Sequence, residues 1–134
     1  MARRSASLGF LGRFGRSGDL RQLDQALRAV DLHPALVPEG VKLTVVNLMK
    51  DTFGDEPAAE TYLPAASLVA YCALGAEGFL AANGDTALDA VETRIQAAID
   101  AGAGFDADLL LLMLHARLIQ PSVVQHFGLS ADEA

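Results

Sequence analysis

Asp85-Thr86-Ala87-Leu88-Asp89-Ala90-Val91-Glu92-Thr93-Arg94-Ile95-Gln96-Ala97-Ala98-Ile99 carries its apolar residues at Leu88, Val91, Ile95, Ala98 and Ile99. Spacings of three and four lay one apolar stripe along an α-helix, with Asp89, Glu92, Arg94 and Gln96 expected on the solvent side. Asp85 or Thr86 supplies an N-cap, and Gly102 and Gly104 end the segment. The rest of the chain repeats this period.

Upstream, Asn83-Gly84 suits the left-handed turn that closes a short helix over residues 77–82. Before it, Leu68-Val69-Ala70-Tyr71-Cys72-Ala73-Leu74 is apolar on nearly every side, which predicts a largely buried helix over roughly 62–74. Pro64 fits the first turn of that helix, and Gly75 terminates it. Downstream, Asp106 caps a helix expected over 105–119, where Leu109-Leu110-Leu111-Leu112-Met113-Leu114 leaves no polar side. Such a helix belongs at the centre of a bundle or at a subunit interface. Pro121 opens a last short helix that Gly128 closes, with Leu129 placed for the apolar contact beyond the cap.

Toward the N-terminus, a helix is expected to start at the N-cap Asp19, to carry Leu20, Leu23, Leu27 and Val30 on one face, and to end before His33-Pro34. Pro38 opens the next, striped by Val41, Thr44, Val45, Leu48 and Met49 up to Gly54, with Lys42 and Lys50 on its outer side. Val41–Val46 comes nearest to a strand pattern, but its flanks are helical. The expected fold is all-α, a compact orthogonal or bundle-like array of about six helices with one or two largely buried central helices.

A chain of 134 residues suits one core, and a composition with 51% hydrophobic and 20% charged residues is globular. The expected organisation is a basic, glycine-rich N-terminal arm over 1–18, a single helical domain over 19–129 and an acidic tail over 130–134. In the arm, Gly9, Gly12, Gly15 and Gly18 weaken a helix. Arg3, Arg4, Phe10, Arg13, Phe14 and Arg16 make it a candidate interaction arm, able to lay its aromatics on the body or on a neighbouring copy. Contact with an anionic membrane surface is the lesser alternative. As a secretory signal the segment fails, because Arg13 and Arg16 interrupt a short apolar stretch; its acid-free, arginine-rich start also matches transit-peptide composition.

Net charge is −7, and residues 1–28 hold +4 of it, leaving −11 for the remainder. An acidic body repels phosphate backbones, so nucleic acid is not an expected partner. Uninterrupted apolar runs such as Leu109–Leu114 fall far short of the roughly 20 residues of a membrane span, and no transmembrane segment is expected. A single cysteine, Cys72, forms no intramolecular disulfide and suits a reducing, cytoplasmic setting.

Motifs that carry chemistry are missing. His33, His115 and His126 have neither Glu-x-x-His nor His-x-x-x-His spacing, so no metal site is assigned. The acidic loops lack the glutamate at position twelve of a calcium loop. Ser67 and Ser122 sit in helical contexts without a strand-to-helix elbow, and the N-terminal glycines follow no strand, so no catalytic or cofactor-binding residue is assigned. Pro121–Ser130 resembles the first helix of a helix-turn-helix, but Ala131-Asp132-Glu133-Ala134 is too short and acidic for a recognition helix. Two readings follow. The first is a non-enzymatic helical interaction module that self-associates. The second is a small-molecule sensor or enzyme with an interhelical pocket near His115, Arg117, Tyr71 and Cys72, the polar groups embedded in apolar segments.

Overall fold

The computed structural model describes the backbone of residues 6–129 and the side chains of residues 18–129. It holds six helices: α1 (Ala6–Ala29), α2 (Glu39–Phe53), α3 (Tyr62–Asn83), α4 (Asp85–Ala101), α5 (Phe105–Ala116) and α6 (Pro121–Phe127). Two 3₁₀ turns, Pro34–Leu36 and Ala59–Thr61, precede α2 and α3, and there is no strand among the described residues. The fold is therefore all-α, as the periodicity predicts.

Three boundaries differ from the sequence expectation. The helix start expected at Asp19 lies inside α1, which begins at Ala6. Each interior glycine costs about 1 kcal/mol of helix propensity. The second half of α1 is anchored through buried Leu23, Ala26 and Leu27. Asp19 pairs with Lys50 of α2 at 2.6 Å, and Asp24 pairs with Lys42 at 3.0 Å, so the lysines expected on the outer side of α2 bridge to α1.

The second difference lies at the end of α5. It stops at Ala116 rather than near 119, because Arg117 takes the left-handed conformation (φ 59°, ψ 39°). The Leu118 N–H then donates to the Met113 carbonyl at 3.0 Å, a Schellman closure. The third concerns α3, which continues to Asn83 but is kinked where Gly75 stands at φ 82°, ψ 172°. Gly84 repeats that geometry (φ 92°, ψ 170°), so the two halves of α3 and the start of α4 are joined by the same corner used twice. The helix break expected at Gly75 is thus a kink between two helical halves. Arg3, Arg4 and the tail over 130–134 lie outside the described residues.

α3 is the centre of the domain. Tyr62, Ala65, Ala66, Leu68, Val69, Ala70, Tyr71 and Cys72 are all buried, and α1, α4, α5 and α6 pack around them. Small residues let these helices approach closely, while Tyr62, Tyr71, Phe79 and Met49 fill the remaining volume. Together with its 3₁₀ turn (Ala59–Asn83), α3 is long and apolar enough to cross a membrane, and half of its most apolar stretch is buried inside the fold. A search for uninterrupted apolar runs misses it, since Ser67, Gly75 and Glu77 punctuate the segment.

α5 is buried on one side only. Leu109, Leu110 and Met113 face the core, whereas Leu111 is 37% exposed.

Candidate functional site

The four residues singled out for a pocket are not brought together. His115 is exposed, four residues beyond Leu111 on the outer face of α5. Arg117 is exposed and borders a hollow of about 270 Å³ with Leu36, Leu74, Leu118 and Ile119. Cys72 is buried in α3, and burial pushes its thiol up to about 12. Tyr71 is buried as well, and its hydroxyl donates to Glu92 Oε2 at 2.7 Å. That bond and the burial hold the phenol above its ordinary range.

Gln120 is the one further polar side chain in the hollow beside Arg117, whereas Tyr71 alone of the four borders a hollow with several. That hollow measures about 490 Å³ and is lined by Tyr71, Glu77, Glu92, Gln120, Ser122 and His126, among others. It forms because α3 turns a corner at Gly75. The carbonyls of a helix's last turn lack intrahelical donors, and Gln120 supplies two: its backbone N–H to Cys72 and its Nε2 to Ala73, each at 2.8 Å. The glycine is needed for its backbone conformation, a region essentially closed to other residues; a Cβ there would make only ordinary contacts with Gln120 Cγ and Ser122 Oγ.

The hollow contains two carboxylates, and no lysine or arginine lines it. It offers hydrogen-bond acceptors and a negative field, so its chemistry suits a small amine. Tyr71 is held protonated and acts there as a donor rather than as a nucleophile. No group of three or more His, Cys, Asp or Glu side chains among the described residues could hold a metal ion.

Glu92 and Arg94 are the polar residues that the sequence reading places wrongly on the solvent side. Arg94 grips both oxygens of Asp106 at 3.1 and 2.8 Å and donates to the Pro64 carbonyl at 2.9 Å, tying α4 to the starts of α5 and α3. It closes one end of an alanine-floored hollow of about 550 Å³ beside the edge-to-face pair Phe53–Phe105. A signal for Glu92 was present: it stands seven residues, two helical turns, before Ile99 and so shares the edge of the apolar stripe.

A different surface lies between α4, α5 and the end of α6. Here Ile99, Leu110, Leu111, Leu114, Phe127 and Leu129 line a groove of about 410 Å³ whose remaining lining is alanine and glycine. No polar side chain contributes to it. No protein family, no curated protein and no solved structure matches the chain.

Proposed function

We propose that this chain is a non-enzymatic helical interaction module that associates with further copies of itself through the groove between α4, α5 and α6. The observation that carries this reading is that every side chain lining that groove is apolar, with Leu111 open to solvent at its edge. Covering it removes apolar area from water at about 25 cal/mol per Å² and strips no polar side chain of its hydration. A second copy is the fitting partner because the chain carries both signs of charge in separate places, with +4 in residues 1–28 and −11 in the remainder. Opposed ends of two copies attract, whereas two acidic bodies meeting squarely repel.

Sedimentation velocity over a concentration series tests the reading, with Leu111→Glu as the comparison. Wild-type protein is expected to associate as concentration rises, and Leu111→Glu to stay monomeric with unchanged helical circular dichroism. A wild-type protein that is monomeric at every concentration overturns it.

A second reading, a small-molecule sensor, is favoured by the hollow at Gly75, where Tyr71, Glu92, Ser122 and His126 surround about 490 Å³. Thermal-shift titration with short alkyl diamines at low salt tests it. A rise in Tm that Glu92→Gln abolishes supports this reading, and no rise ends it.

A further inference from the structure

We infer that the segment seated in the α4–α5–α6 groove is the N-terminal half of α1 from a second copy, apolar positions 10, 11 and 14 inward. This rests on self-association through the groove and names what fills it.

The sequence of the segment fits a helix-in-groove ligand, in which anchors recur about one turn apart. Phe10, Leu11 and Phe14 supply them. Around them stand Arg3, Arg4, Arg13 and Arg16 with no acidic residue before Asp19, so residues 1–18 carry +4. The exposed carboxylates Asp100 and Asp108 flank the groove-lining Ile99 and Ala107 in sequence. A basic ligand and an acid-flanked apolar groove are complementary in both respects.

Helix geometry then decides which copy's groove is filled. α1 is one helix from Ala6 to Ala29, and Leu23, Ala26 and Leu27 are its buried residues beside α2 and α3. At about 100° per residue, position 14 lies on the side of α1 opposite Leu23. Positions 10 and 11 fall on that same far side. The rise of 1.5 Å per residue sets position 14 about 14 Å, and position 10 about 20 Å, along the axis from Leu23. A continuous helix anchored at Leu23 turns those positions away from α2 and α3, the helices of its own chain that it packs on. A second copy's groove is free of that restraint. If each of two copies donates its segment and receives the other's, the exchange closes as a two-fold dimer and leaves no groove open.

Disulfide trapping tests this on the full chain, with buried Cys72 replaced by alanine so that each protein carries one thiol. A Phe14→Cys protein mixed with a Leu111→Cys protein under mild oxidation is expected to give a disulfide-linked heterodimer. Phe14→Cys mixed with Ala90→Cys, an exposed position nearer the start of α4, is expected to give little. Phe10→Cys with Leu114→Cys repeats the test should one variant lose its helical circular dichroism. Salt is expected to reduce trapping, since the charge term is screened beyond about 10 Å at 0.1 M.

Four outcomes overturn the inference. Association without trapping leaves the groove as a self-association surface but removes α1 from it. A monomeric protein removes both. Trapping within one chain, seen with a Phe14→Cys, Leu111→Cys double variant at high dilution, makes the contact intramolecular. Binding to phosphatidylserine-containing vesicles that disperses the trapped dimer makes a lipid surface the segment's partner.

Discussion

Gln120 closes the first half of α3, donating its backbone N–H to the Cys72 carbonyl at 2.8 Å while its side chain donates to Ala73. One residue in the connection between α5 and α6 therefore satisfies two carbonyls that the kink at Gly75 releases. The corner, the polar hollow beside it and the start of α6 form one structural unit, because Gln120 is also the N-cap position of α6.

Substitutions at this corner are expected to be costly out of proportion to their size. Gly75→Ala forces a side chain into a region open essentially to glycine and is expected to lose about 1–3 kcal/mol of stability. Gln120→Ala forfeits the bond to Ala73 and is expected to lose about 1 kcal/mol. Urea unfolding followed by circular dichroism measures both. An unchanged midpoint for Gly75→Ala would show that the corner is not held as described.

The two tyrosines provide a second test. Tyr62 and Tyr71 are the only tyrosines in the chain, both are buried, and burial raises both above the ordinary value of 10.0. For Tyr62 the nearby Asp19 adds to the shift, and for Tyr71 the bond to Glu92 does. A phenol whose folded pKa is raised stabilises the fold fully below 10, and that contribution is lost as pH climbs through the folded value. Ultraviolet titration is therefore expected to show less phenolate near pH 10 in the folded protein than two free phenols give. The remainder should appear with the loss of helical signal. A gradual rise centred near 10 with the helices intact would contradict the burial of both rings.

The same logic applies to Cys72. The thiolate is the reactive form, and a thiol pushed up to about 12 in a closed core is both protonated and shielded. Ellman's reagent is expected to leave the native protein unmodified at neutral pH and to react in proportion to the unfolded fraction in urea. Fast native reaction would mean that α3 opens at Cys72.

What could be read from the sequence was local. The 3.6-residue period of Leu88, Val91, Ile95 and Ala98 gives α4, and the glycines at 84 and 128 give two helix ends, since each signal lies within a few residues of what it specifies. What could not be read was set by distance. The bonds of Tyr71 to Glu92 and of Arg94 to Pro64 span 21 and 30 residues, and nothing local pairs them. The start of α1 at Ala6 lies upstream of the cap signal at Asp19, past four glycines that locally argue against a helix. The end of α5 depends on a left-handed Arg117, a conformation that sequence statistics reserve for glycine and asparagine. His115, embedded among leucines, reads as buried. An all-round apolar helix must still turn one side outward when packed on one face only, and His115 shares that side with Leu111, one turn away.

That division of α5 gives the sharpest contrast available. Leu109 is fully buried and Leu111 is 37% exposed, although the two are identical in chemistry and two residues apart. Leu109→Ala leaves a cavity in the core and is expected to cost about 2–5 kcal/mol in urea unfolding. Leu111→Ala deletes a surface side chain and is expected to change the stability of the dilute protein by no more than about 0.5 kcal/mol. In concentrated solution the order reverses. On the proposed self-association, Leu111→Ala is expected to weaken association through the groove, and Leu109→Ala to leave it intact wherever the protein is folded, because Leu109 does not line that surface. Measuring both variants by urea unfolding at low concentration and by sedimentation at high concentration separates the two roles. Equal stability losses would mean that both sides of α5 are buried in the monomer, and the groove would then lose its claim as a self-association surface.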